Sequence, residues 1–117
     1  MLHLSPSWQY YLYHGPADMR KGFDSLSGLV HQHMQLDVLN GSIFIFINKK
    51  RNQVKLLLWE GDGLSLYYKR LEKGTYELPA ATGQPSSITI SAQQLQFILQ
   101  GVSFQKIHFR VRYKKTG

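Results

Sequence analysis

The run Ser42 to Ile47 places five apolar residues, Ile-Phe-Ile-Phe-Ile, in unbroken succession. All five are β-branched or aromatic, which favours a pleated strand. A strand with no polar alternate offers no face to water, so it belongs in the middle of a sheet covered on both sides. The run is also far too short to span a bilayer. Its flanks extend the same reading. Asn48 to Asn52 is a polar turn of hairpin length, and Val54 to Trp59 is the return strand. Glu60-Gly61-Asp62-Gly63 contains Asp-Gly, the pair favoured where a tight turn needs positive φ. Leu64 to Lys69 follows as another strand, and Thr75 to Leu78 adds a short one before Pro79.

On the N-terminal side, Trp8 to Tyr13 reads as a first strand, broken by His14-Gly15-Pro16. Asp18 is placed to cap a helix. Met19, Phe23, Leu26, Val30 and Met34 recur at helical spacing and share one face. Gly22 and Gly28 each weaken that helix by roughly 1 kcal/mol relative to Ala, so it depends on tertiary packing. Asn40-Gly41 ends the connection. Residues 80–87 are a small-residue link. Ser91 caps a second helix with Leu95, Ile98 and Leu99 inward and Gly101 at its end. Lys106 to Tyr113 then alternates strictly between apolar and basic or titratable residues. The order is β-α-β-β-β-β-α-β. It predicts an α+β fold over residues 1–117, a single small domain with a mostly antiparallel sheet and two helices.

Net charge is +7, so the expected partner is an anion, nucleic acid ahead of an anionic membrane surface and DNA ahead of RNA. The charge is uneven. Nine basic and seven acidic residues lie up to Leu78, and five basic residues with no acidic one follow. Such asymmetry points to a contact surface. The absence of cysteine excludes disulfides, thiolate metal sites and a thiol nucleophile. The N-terminal residues lack a basic leader and a sustained apolar core, so a cytoplasmic protein is expected.

Four basic groups stand out. In the last strand, Lys106, His108, Arg110, Arg112 and Lys114 share a face at about 6.6 Å intervals, close to phosphate spacing. That face either contacts phosphates or protects an exposed edge with charge. Lys49, Lys50 and Arg51 at a hairpin tip either grip a backbone or form a solvated turn. Lys69 and Arg70, with Lys73 nearby, follow Tyr67 and Tyr68. Those rings either stack on unpaired bases or half-bury in the sheet. Arg20 and Lys21, expected in the first turn of a helix, either join backbone N–H groups around a phosphate or pair with Asp18 or Asp24.

Catalytic patterns are weak. Two-metal chemistry needs converging carboxylates, and Asp18, Glu60 and Asp62 meet only if the fold brings them together. His31 and His33 are two residues apart, so on a helix they diverge, and no zinc spacing appears. The serines lack a nucleophile-elbow setting. Gly61-Asp62-Gly63 lacks the third glycine of a dinucleotide fingerprint.

Four stretches carry a specific likeness. They are Gly15-Pro16-Ala17-Asp18-Met19-Arg20-Lys21-Gly22, Asn40-Gly41-Ser42-Ile43-Phe44-Ile45-Phe46, Lys55-Leu56-Leu57-Leu58-Trp59-Glu60-Gly61-Asp62-Gly63 and Tyr68-Lys69-Arg70-Leu71-Glu72-Lys73-Gly74. In this order they resemble the TnpB-type accessory protein of the IS sixty-six group of bacterial insertion sequences. The likeness runs from about Tyr11 to Pro79, with a fainter echo over Ile90 to Gly101. The chain departs from the usual pattern at Asn48 and Leu78. The resemblance implies a role in transposition beside a separate transposase that holds the acidic catalytic triad. It carries over no catalytic residue, cofactor or metal. The expectation is a non-enzymatic accessory factor that contacts duplex DNA, with element ends among the candidate targets. The contact residues would be Arg20, Lys21, Lys49, Lys50, Arg51, Lys69, Arg70, Arg110, Arg112 and Lys114. The alternative is a module that docks on the transposase, or on the element's other accessory protein, without touching DNA. No membrane partner is expected.

Overall fold

A computed structural model describes residues 3–81, 83 and 85–101 of the chain. The elements are β1 (Tyr10–Tyr13), α1 (Phe23–Gln32), a 3-10 turn (Val38–Asn40), β2 (Ile43–Ile47), β3 (Gln53–Trp59), β4 (Leu64–Arg70), β5 (Ser87–Ile90) and α2 (Ala92–Gln100). They form the expected α+β fold. The five-stranded sheet has the order β4-β3-β2-β1-β5. The β1–β2 pair is parallel, which is why α1 and the 3-10 turn must cross between them. The other pairings are antiparallel.

β2 is central, and all five of its residues are buried. Pleating divides them between two cores. Ile43, Ile45 and Ile47 face one side with Tyr10, Leu12, Val54, Leu56, Tyr76, Leu95 and Ile98. Phe44 and Phe46 face the other with Leu26, Val30, Met34, Val38 and Leu57. α2 therefore covers one face, and α1 with the 3-10 turn covers the other. Leu95 and Ile98 are buried and Leu99 packs partly, as their spacing predicts.

Three expectations need correction. Thr75 to Leu78 form no strand, and the fifth strand is Ser87–Ile90, which pairs antiparallel with β1. Residues 71–76 instead wrap the β2–β3 hairpin. Leu71 N donates to Asn52 O at 2.8 Å, Tyr76 N donates to Arg51 O at 2.6 Å, and the Tyr76 ring enters the core. Asp18 does not cap α1. The helix begins at Phe23 behind Gly22, without a side-chain cap, and the Asp18 carboxylate accepts Arg20 N at 2.9 Å. Met19 consequently lies outside the helix, although it still packs against the α1-side core, and Phe23 is 45% exposed. Finally, the Glu60–Gly63 turn puts its positive φ at Gly61 (94°) rather than at Gly63.

The strand expected over Lys106 to Tyr113 lies outside the described residues, as do Arg110, Arg112 and Lys114. Among the described residues, no helix is long and apolar enough to cross a membrane.

α2 begins with a reciprocal capping box. Ser91 Oγ accepts Gln94 N at 3.0 Å, and Gln94 Oε1 accepts Ser91 N at 2.8 Å. Substituting Ser91→Ala should lower stability by about 1 kcal/mol. Urea unfolding checks this, and an unchanged midpoint would mean that packing alone sets the helix start.

Candidate nucleic-acid interface

The sheet topology delivers distant cations to one end of the fold. The β2–β3 turn at residues 48–52 projects from that end. β4 runs antiparallel to β3 with Arg70 opposite Gln53, so Lys69 and Arg70 finish there too. β1 is parallel to β2, and the chain leaving it is tied to the same end by Ala17 N donating to Ile47 O at 2.9 Å. Lys49, Lys50, Arg51, Lys69 and Arg70 are all exposed, as is Lys73 in the wrap that crosses the hairpin. Two patches that look separate in the sequence are thus brought together, and the Asp18–Lys21 loop lies nearby.

The hairpin tip is rigidly built. Asn48 Oδ1 accepts the N–H groups of Asn52 at 3.0 Å and Gln53 at 2.9 Å, and Asn48 Nδ2 donates to Asn52 Oδ1 at 2.8 Å. Arg51 occupies the left-handed region (φ 58°). That conformation costs a non-glycine residue roughly 1–2 kcal/mol. Its backbone is held on both sides, by Arg51 N donating to Asn48 O at 3.0 Å and by the bond from Tyr76. A glycine or asparagine would make this turn more easily, so the arginine there is not explained by the turn.

The ion pairs are unequal. Arg70 reaches Glu72 at 3.4 Å, and Arg20 reaches Asp18 at 2.7 Å. Among the described residues, Lys49, Lys50, Arg51 and Lys69 have no carboxylate within ion-pair reach. The turn bearing Glu60 and Asp62 lies at the opposite end of β3. The length of that strand, about 20 Å, separates it from the hairpin tip. Asp18 belongs to the cation-bearing end, so Asp18, Glu60 and Asp62 do not converge. Among the described residues, no three His, Asp or Glu side chains are grouped to hold a metal.

The tyrosines split between faces. Tyr67 packs against the α2-side core, as a half-buried sheet tyrosine would. Tyr68, on the other face, is 52% exposed, and its hydroxyl donates to Gln53 Oε1. Trp59 shares the register parity of Lys55, which pairs with Tyr68, so no single face carries Trp59, Tyr67 and Tyr68 together. His31 Nε2 accepts Val38 N at 3.2 Å and so ties α1 to the 3-10 turn.

Lys55 is the residue near this end of the sheet that periodicity missed. It is buried in β3, and its Nζ donates to Met19 O and Lys21 O, both at 2.8 Å. The ammonium also lies 4.6 Å from the Tyr68 ring centroid. A lone lysine inside Val54-Lys55-Leu56-Leu57-Leu58 was the available signal, because a buried cation requires partners. By turning these carbonyls toward the sheet, Lys55 keeps residues 19–21 out of α1. Arg20 and Lys21 therefore precede the helix and do not occupy its first turn. Substituting Lys55→Met should cost about 1–3 kcal/mol by stranding two carbonyls. It should also speed amide exchange in residues 18–22, and normal exchange there would show that the loop holds itself.

Arg20 is engaged with its neighbour. Its Nε and Nη2 both reach the Asp18 carboxylate, at 2.7–3.1 Å. The Arg20 side chain, then its backbone N–H, hold the Asp18 carboxyl down to about 2. The stabilising contribution is present above the ordinary aspartate range and is lost as pH falls toward about 2. In a carboxyl-carbon NMR titration, Arg20→Ala should move Asp18 back toward about 3.9. No movement would break the assignment of this pair.

The comparisons with known proteins agree with the likeness seen in the sequence. The profile of a family described as "IS66 Orf2 like protein" matches residues 8–109. Protein y4hO of Sinorhizobium fredii (strain NBRC 101917 / NGR234), described as uncharacterized, is 34% identical over 103 residues, 88% of each chain. Protein y4jC of the same strain, also described as uncharacterized, is 26% identical over 92 residues, covering 79% of this chain and 77% of its own. No solved structure matches. With most of its length matched in this way, the chain belongs to the IS66 Orf2-like family.

Proposed function

We propose that the protein serves transposition of its insertion sequence by gripping the backbone of duplex DNA with the cation-bearing end of its sheet, without chemistry of its own. Family membership supports the accessory role in transposition. The observation that supports DNA contact is the gathering of Lys49, Lys50, Arg51, Lys69 and Arg70 from separate segments, with Glu60 and Asp62 at the far end. Among the described residues Lys49, Lys50 and Arg51 have no carboxylate partner to give up on meeting phosphates, and the turn that carries them is already held by hydrogen bonds. Contacts of this kind position a protein on DNA but read no sequence. Lys21, and Arg20 once released from Asp18, extend the surface. Arg110, Arg112 and Lys114 would enlarge it by the same alternating-strand argument from sequence. The transposase and the element's other accessory protein are the proposed protein partners, in the cytoplasm.

A second reading rests on Phe23 and Leu39, large apolar side chains that are 45% and 52% exposed on the α1 side. In that reading they dock on the transposase, and the charge is incidental.

Fluorescence anisotropy with labelled duplexes across a salt series separates the two. Phosphate contacts by Lys49, Lys50, Arg51, Lys69, Arg110 and Arg112 give a log K against log salt slope of about −5. The triple substitution Lys49→Ala, Lys50→Ala, Arg51→Ala should flatten it by about 3 units and weaken all sequences alike. Replacing Arg110 and Arg112 by Ala should flatten it by about 2 more. No binding at low salt would discard the DNA reading. Loss of transposase capture on Phe23→Asp would then favour docking.

A further inference from the structure

An open cleft of about 640 Å³ lies at the same end of the sheet, between the β2–β3 turn, the end of β1 and the segment 78–81. Its wall combines two chemistries. Leu78 and Ile88, both half-buried, supply apolar surface over the buried Leu12 and Ile47, while Lys49 and Arg51 supply charge. No aspartate or glutamate lines it, and none occurs anywhere after Glu77.

Duplex DNA does not use such a wall. It shows a protein its phosphates, sugars and base edges, and keeps the flat apolar faces of its bases stacked inside. A backbone grip by Lys49 and Arg51 would leave the apolar surface empty. Inorganic phosphate would leave it empty too. The ligand that satisfies both halves is anionic with a flat apolar portion, and an unpaired nucleotide is such a ligand. Its base is free to leave the stack, and its phosphates flank it within the reach of the rim. The cleft volume is in the range of small-ligand pockets, about 300–1,000 Å³. Arg51 lines the cleft from a left-handed position fixed by Asn48 and Tyr76, so its placement there is pre-organised.

We infer that this cleft receives one unpaired nucleotide of the bound DNA, with the base on the Leu78–Ile88 surface and its phosphate at Lys49 and Arg51. This rests on the DNA reading above and adds a preference to it. The protein would favour DNA that is locally unpaired over uninterrupted duplex.

The test compares two labelled duplexes with the full-length protein. One is fully paired, and the other is identical except for a single unpaired thymidine. The unpaired site should bind about tenfold tighter, the scale of one base–side-chain packing interaction. Ala80 is exposed and Ala81 is half-buried, and neither lies in a helix or strand. Ala80→Trp and Ala81→Trp, each checked for native circular dichroism, should fill the cleft and abolish the tenfold preference. Affinity for the paired duplex should stay within about twofold. Equal wild-type affinity for both duplexes would overturn the cleft assignment and leave the backbone grip standing. Preference that survives both tryptophan variants would overturn it as well. Failure of the protein to bind either duplex at low salt would remove the DNA reading and the cleft together.

Discussion

The two-sided burial of β2 is the constraint on which the rest of the fold depends. Each Ile or Phe taken fully from water contributes roughly 1.5–3 kcal/mol, so five in a row demand cover on both faces. β1 and β3 flank the strand, and the two helical layers close over it. The parallel β1–β2 pair follows from the same demand. The chain must leave β1, cross one face through α1 and re-enter beside it, which puts a helix where Phe44 and Phe46 need one. With the middle of the sheet committed to burial, exposed polar chemistry collects at the strand ends. The two ends differ in sign because the β2–β3 turn is basic and the β3–β4 turn is acidic.

Lys55 is the exception within this apolar frame, and it links the frame to the surface. A buried ammonium needs acceptors, and the nearest supply is the backbone of the loop before α1. Meeting that need pins Met19 and Lys21 to the sheet and delays the helix to Phe23. The Asp18–Arg20 pair then closes the loop from its solvent side. A residue buried in the sheet therefore ties an exposed basic loop to the sheet end.

Much of this was legible in the sequence because it was periodic or local. β2 was visible from its composition, the hairpins from their turn residues, and α2 from Ser91, its Leu95–Ile98–Leu99 spacing and Gly101. Four things were hidden because they depend on distant partners. Asp18 has the chemistry of a helix cap, but Lys55, 37 residues away, diverts the backbone it would have capped. Thr75 to Leu78 has strand-like residues, but Tyr76 is spent on bracing Arg51. Ser87 to Ile90 follows a stretch rich in small residues, and only the open edge of β1 makes it a strand. The convergence of Lys49, Lys50 and Arg51 with Lys69 and Arg70 was hidden for the same reason, since it is a property of β4 register and not of either patch alone.

That register also bears on how such a surface would act. Lys69 and Arg70 are adjacent on β4, so their side chains leave on opposite faces of the sheet. The hairpin tip stands between those faces, at the end of β3, the neighbour of β4, and of β2 beyond it. The cations therefore form a ridge around the sheet end rather than a flat patch, and a ridge of positive charge fits a groove walled by phosphates on both sides. Glu72 offsets Arg70 on one flank, which leaves the net charge concentrated at Lys49, Lys50 and Arg51. Those residues sit at the end of β3 opposite Glu60 and Asp62. On the proposed DNA reading, the charge separation along β3 would orient the molecule in the field of a polyanion before contact. On the proposed reading the hairpin end would arrive first, which would leave the faces carrying α1 and α2 clear for the proposed protein partners.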